Sequence, residues 1–100
     1  MPYGCIASTK TRPGCREEVV SLLLSGADGL RSAGCDLYPV GRSDDDDETT
    51  IWVTEKWRTR EHHDASLELP EAKDAIGRAM PMLTGAFTKQ DMPVAGGLGL

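Results

Sequence analysis

Between Ile51 and Pro70 the chain reads IWVTEKWRTREHHDASLELP, and this stretch sets a glutamate, two tryptophans and adjacent histidines close together. Those side-chain types suit proton transfer beside a flat ring. An indole such as Trp57 can stack on an aromatic ligand. The imidazole of His63 can take or give a proton near neutral pH. Glu55 can orient that imidazole or serve as a base itself. Alternation places Ile51, Val53, Glu55 and Trp57 on one strand face and Trp52, Thr54, Lys56 and Arg58 on the other. A carboxylate on a mainly apolar face, two residues from an indole, is the local conflict that often marks a site. His62 is expected to face solvent. His63 stands four residues before Leu67 and so can pack inward. Two histidines in succession on a helix cannot both face one ion, so no metal site is expected from them.

The elements that must position these groups can be read from spacing. Tyr3 to Thr11 alternates weakly and ends at Arg12-Pro13-Gly14, a strand closed by a breaker. From Val19 to Leu30 the apolar residues recur at helical spacing, which predicts one helix of about four turns. Glu17 and Glu18 fall in its first turn, Arg31 in its last, and Gly34 where a C-cap belongs. Asp36 to Val40 is a short strand that Pro39 confines to an edge or a bulge. Gly41 to Glu48 is a solvated hairpin loop, because its run of aspartates lacks the glycine and ligand spacing of a calcium loop. After the Ile51–Trp57 strand, Thr59 caps a helix starting near Arg60, and Pro70 opens a second helical piece. Pro81 ends that piece or kinks it, and Ala86 to Lys89 offers a last strand. The order β-α-β-β-α-β is the ferredoxin-like α+β plan, with an antiparallel sheet and both helices on one face. The domain spans residues 1–91, and the glycine-rich residues 92–100 form a mobile or partner-grasping tail.

One face of that sheet is left without a helix. It carries either the Ile51/Val53/Trp57 set or the Trp52 set, and either contains an indole. A homodimer packing sheet on sheet would cover it, with Trp52 filling the interface. Composition narrows the remaining choices. A net charge of −5 and an isoelectric point near 4.9 give no electrostatic footing for nucleic acid. No stretch approaches the ~18 apolar residues of a membrane span, and no signal-like segment opens the chain, so a cytoplasmic location is expected. The three cysteines, Cys5, Cys15 and Cys35, are widely spaced without a CxxC pair and read as small buried thiols.

Taken together, Ile51-Trp52-Val53-Thr54-Glu55-x-Trp57 and His63-Asp64-Ala65-Ser66-Leu67-x-Leu69-Pro70 resemble the antibiotic biosynthesis monooxygenase (ABM) family. Arg12-Pro13-Gly14, the first amphipathic helix and Ala79-x-Pro81-x-Leu83 fit the same pattern, so the resemblance spans roughly residues 3 to 90. It implies a small dimeric α+β barrel. It also implies an oxygenase that needs no flavin, haem or metal and acts on a quinol or polycyclic phenol. In that setting His63 and Glu55 are the catalytic candidates, and Trp57, Trp52 and Tyr3 the substrate-binding ones. The chain departs from its relatives in having no asparagine beside the tryptophan. It also carries Ser66 where many quinol-oxidising members have a histidine. Three readings follow: a cofactor-free oxygenase, a non-catalytic dimeric module binding an aromatic ligand or protein partner, and an isomerase- or decarboxylase-like use of the barrel. An enclosed apolar pocket holding Trp57, Glu55 and His63 together favours the first.

Overall fold

The computed structural model describes residues 2–44 and 48–100. Its elements run β1 (Tyr3–Thr11), α1 (Arg16–Ser25), α2 (Ala27–Ser32), β2 (Cys35–Leu37), β3 (Val40–Arg42), β4 (Thr50–Trp57), α3 (Arg60–Ser66), α4 (Pro70–Ala79) and β5 (Leu83–Asp91). The sheet is antiparallel in the order β2-β4-β1-β5, with β3 also paired to β4. This is the expected ferredoxin-like α+β arrangement.

Three boundaries differ from those read in the sequence, each for a local reason. The first helix breaks at Gly26, whose missing side chain neither packs nor restrains the backbone, so α1 and α2 replace one continuous helix. The second strand splits around Tyr38-Pro39 because proline has no N–H to donate to a ladder. Pro39 instead accepts from the Thr54 N–H through its carbonyl at 3.1 Å, and pairing resumes at Val40 opposite Val53. The last strand extends well beyond Ala86–Lys89. Past its end, Met92 N–H donates to Gly4 O at 2.7 Å and Val94 N–H to Pro2 O at 3.0 Å, so the tail begins hydrogen-bonded to the opening strand. Of the aspartate run expected to form a solvated loop, Asp44 is exposed and Asp45–Asp47 lie outside the described residues.

Register decides which side chains share a face. Tyr3 pairs with Trp57, Cys5 with Glu55 and Ala7 with Val53, so these six side chains point the same way. That is the helix-covered face, since Ile51 is fully buried against Val19, Val20 and Ala79. A second buried group joins Tyr3, Cys5, Cys35 and Trp57, with Leu30 and Tyr38 packed on it. The opposite face carries Trp52, which is 43% exposed, with Ser8 directly across from it. Among the described residues no helix is long and apolar enough to cross a membrane.

Candidate functional site

The strand-to-helix corner after Trp57 brings the chemistry together. Thr59 is extended, and its hydroxyl oxygen accepts from the His62 N–H at 3.1 Å, which starts α3 where the sequence indicated. Cap geometry then turns the two histidines apart. His62 lies on the exposed side with Nδ1 2.6 Å from the Thr59 hydroxyl. His63 turns inward and is 7% exposed. The Ser66 hydroxyl donates to His63 O at 2.6 Å, satisfying a buried polar group within the helix.

The imidazole of His63 is held between two rings. Tyr3 lies 5.0 Å away at 52° and Trp57 5.6 Å away, edge-on at 84°. Nδ1 of His63 is 3.0 Å from the Asp64 carboxylate, which engages one of the two ring nitrogens. Glu55 is fixed from two sides. The Trp57 indole Nε1–H donates to Oε1 at 3.0 Å, and the Cys5 thiol donates to Oε2 at 3.6 Å. Burial first, and the Glu55 carboxylate second, push the Cys5 thiol up to about 11. Burial and the same carboxylate push the Tyr38 phenol up as well. Cys5, Glu55 and His63 each offer a ligand atom, all within 4.8 Å of one another.

Beside this cluster a cavity of about 510 Å³ opens between the helices and the sheet. Its polar lining includes Glu55, His63, Tyr38 and Ser66. Its apolar walls come from Leu22, Leu23 and Leu30 of the first helical pair, from Leu67 and Leu69, and from Ala72, Ala75 and Ile76 of α4. That size and balance suit a small, largely apolar ligand with few polar groups.

The structure thus unites Glu55, Trp57 and His63 on one cavity wall, but the other two candidates lie elsewhere. Trp52 points from the opposite sheet face, because adjacent strand residues must point opposite ways; it takes no part in the cavity. Tyr3 backs His63 from behind the wall, with its hydroxyl donating to Asp91 Oδ1 at 2.8 Å, and does not line the cavity. Trp57 is 1% exposed, so it offers the cavity no open ring face for stacking. Sequence reasoning passed over Cys5, Tyr38 and Asp64. Asp64 could have been seen, since it directly follows His63. Cys5 lies fifty positions from Glu55, and only the β1–β4 register reveals that they meet.

The fold is thus a ferredoxin-like α+β chain with an apolar cavity under its helices and Glu55 and His63 in the cavity wall. The family profile described as antibiotic biosynthesis monooxygenase matches residues 2–78, and the chain belongs to that family. A candidate antibiotic biosynthesis monooxygenase from Chloroflexus aurantiacus is 34% identical, with a TM-score of 0.89 over 99% of this chain and 98% of that one. Candidate members from Caulobacter crescentus and Nitrosomonas europaea share the fold at TM-scores of 0.84 and 0.85. Their identities are only 21% and 14%, with 95% and 94% of this chain covered and 91% and 90% of theirs. No curated protein matches the chain.

Proposed function

We propose that the chain is a cofactor-independent monooxygenase that takes a quinol or polycyclic phenol into the cavity and works as a homodimer. The observation that carries the reading is the shared wall: Trp57, Glu55 and His63 border one apolar space of about 510 Å³. The alternative of a non-catalytic binding module would be favoured by a collapsed cavity with those groups paired off. Here the cavity is open at about 510 Å³, while Glu55 is held by Trp57 and Cys5 and His63 by Asp64.

His63, steadied by Asp64 and flanked by Glu55, accepts the substrate hydroxyl proton as the ring becomes an anion. The electron-rich anion passes an electron to O₂, and the two radicals combine into a peroxide on the ring carbon. Loss of water then leaves a new carbonyl. One oxygen atom enters the product and the other leaves as water; the substrate itself supplies both electrons. The protein's contribution is to hold the ring, favour its anion and keep water out. The bare sheet face bearing Trp52 is assigned to the partner subunit.

Oxygen uptake by the purified protein against a panel of quinols and anthrones tests the reading. Turnover is expected without added NADH, flavin or iron. Binding without any uptake across the panel would overturn the catalytic reading in favour of a binding module.

A further inference from the structure

We propose that Cys5, Glu55 and His63 form a binding site for a single zinc ion, with the ion's fourth position open to the cavity. The site shares His63 and Glu55 with the proposed oxygenase reaction, so a bound ion and proton transfer at Nε2 exclude one another.

Three different elements supply the donors: β1 gives a thiol, β4 a carboxylate and α3 an imidazole, with all three ligand atoms within 4.8 Å of one another. Tetrahedral zinc bound by sulfur, nitrogen and oxygen places its donors roughly 3.3–3.8 Å apart, from its bond lengths of about 2.0–2.3 Å. The Cys5 and Glu55 donors already stand 3.6 Å apart, and the His63 nitrogen, within 4.8 Å of both, must draw in to about the same spacing. The outer contacts are those a bound ion uses. Asp64 engages Nδ1 of His63 and leaves Nε2 as the ligating nitrogen. The Trp57 indole holds Oε1 of Glu55 and leaves Oε2 facing the thiol. Carboxylate–histidine and donor–carboxylate pairs of this kind orient ligands and raise their basicity. A mixed thiolate, imidazole and carboxylate set suits zinc better than magnesium or calcium, which take oxygen. Glu55 and His63 border the cavity, whereas Cys5 stands behind them, so a water or small ligand would complete the coordination from the cavity side.

Binding exchanges the thiol proton between Cys5 and Glu55 for the metal ion, forming a zinc–sulfur bond and releasing one proton to solvent. No change in oxidation state is involved. Because binding displaces the thiol proton, affinity should weaken as pH falls.

The test is titration of the metal-free full-length protein with cobalt as a spectroscopic stand-in, followed by displacement with zinc. One cobalt per chain is expected, with a thiolate-to-cobalt charge-transfer band that zinc abolishes. Cys5→Ser should remove the band while Cys15→Ser keeps it. Asp64→Asn should weaken affinity about 10–100-fold, the usual effect of losing an outer partner. Circular dichroism checks each variant's fold. If Cys5→Ser does not fold, zinc protection of Cys5 against alkylation in the unaltered chain, located by mass spectrometry, decides in its place. Absence of the band, its persistence in Cys5→Ser, or alkylation of Cys5 unaffected by zinc would overturn the site. These readouts need no oxygenase substrate, so failure of the metal site is distinguished from failure of the oxygenase reading.

Discussion

The contact between Trp57 and Glu55 predicts an energetic coupling that can be worked out from the geometry. Trp57→Phe keeps a ring in the buried slot formed with Tyr3, Cys5 and Cys35 but removes the Nε1–H that donates to Glu55 at 3.0 Å. Complete truncation of a buried tryptophan costs about 3–5 kcal/mol, so the smaller change to phenylalanine should cost ~1–2 kcal/mol in packing. A hydrogen bond to a charged acceptor adds about 1.5–3 kcal/mol. Since Glu55 borders the cavity, water can reach its freed oxygen, which puts the coupling near the lower end, at about 1.5 kcal/mol. In a Glu55→Leu background, the same Trp57→Phe change should therefore cost only its packing part. The assay is urea unfolding at neutral pH, followed by circular dichroism, for the four members of the cycle. Additivity within about 0.5 kcal/mol would refute the argument that the indole fixes the carboxylate.

Other predictions concern catalysis, assembly and pH. His63→Ala should lower turnover on an active phenol by about 10²–10⁴-fold with ligand binding nearly intact; full turnover would exclude the acid–base role. Trp52→Glu should convert a dimer into a monomer by sedimentation, because it buries a charge in the proposed sheet-to-sheet interface. A wild-type monomer at micromolar concentration would remove the dimer from the proposal. Cys5 has a folded pKa of about 11 against an ordinary 9.0, so its contribution to stability is whole below pH 9 and lost as pH rises toward 11. Native-state alkylation of Cys5 should stay slow at pH 8, and Cys5→Ala should flatten this alkaline loss of stability in urea titrations. Rapid labelling of Cys5 at pH 8 in the folded chain would contradict the assignment.

The corner between β4 and α3 was legible because every signal in it is local. Alternation set the faces, Thr59 set the helix start, and helix geometry sent His62 and His63 in different directions. The same alternation separates Trp52 from Glu55 and Trp57, so including Trp52 with the binding residues ran against the pattern itself. The break at Gly26 was hidden because apolar periodicity continues across it. Tyr38 enters the site through the Pro39 irregularity, whose path depends on pairing with β4. Cys5 meets Glu55 through a register that no spacing along the chain can state.

Gly26 and Gly29 both line the cavity from the interrupted first helix, and a methyl at either position would meet no atom within 4 Å. Gly29 sits inside α2, where alanine would favour the helix by roughly 0.5–1 kcal/mol. Gly29→Ala should therefore raise the urea midpoint, with the added methyl group meeting no neighbour in the fold; a lowered midpoint would mean that the position has a demand of its own. The helix is accordingly less stable than its length permits, and the difference is invested in open volume. Larger residues at these two positions give a graded way to narrow the cavity from the helical side, with the Glu55–His63 wall left untouched.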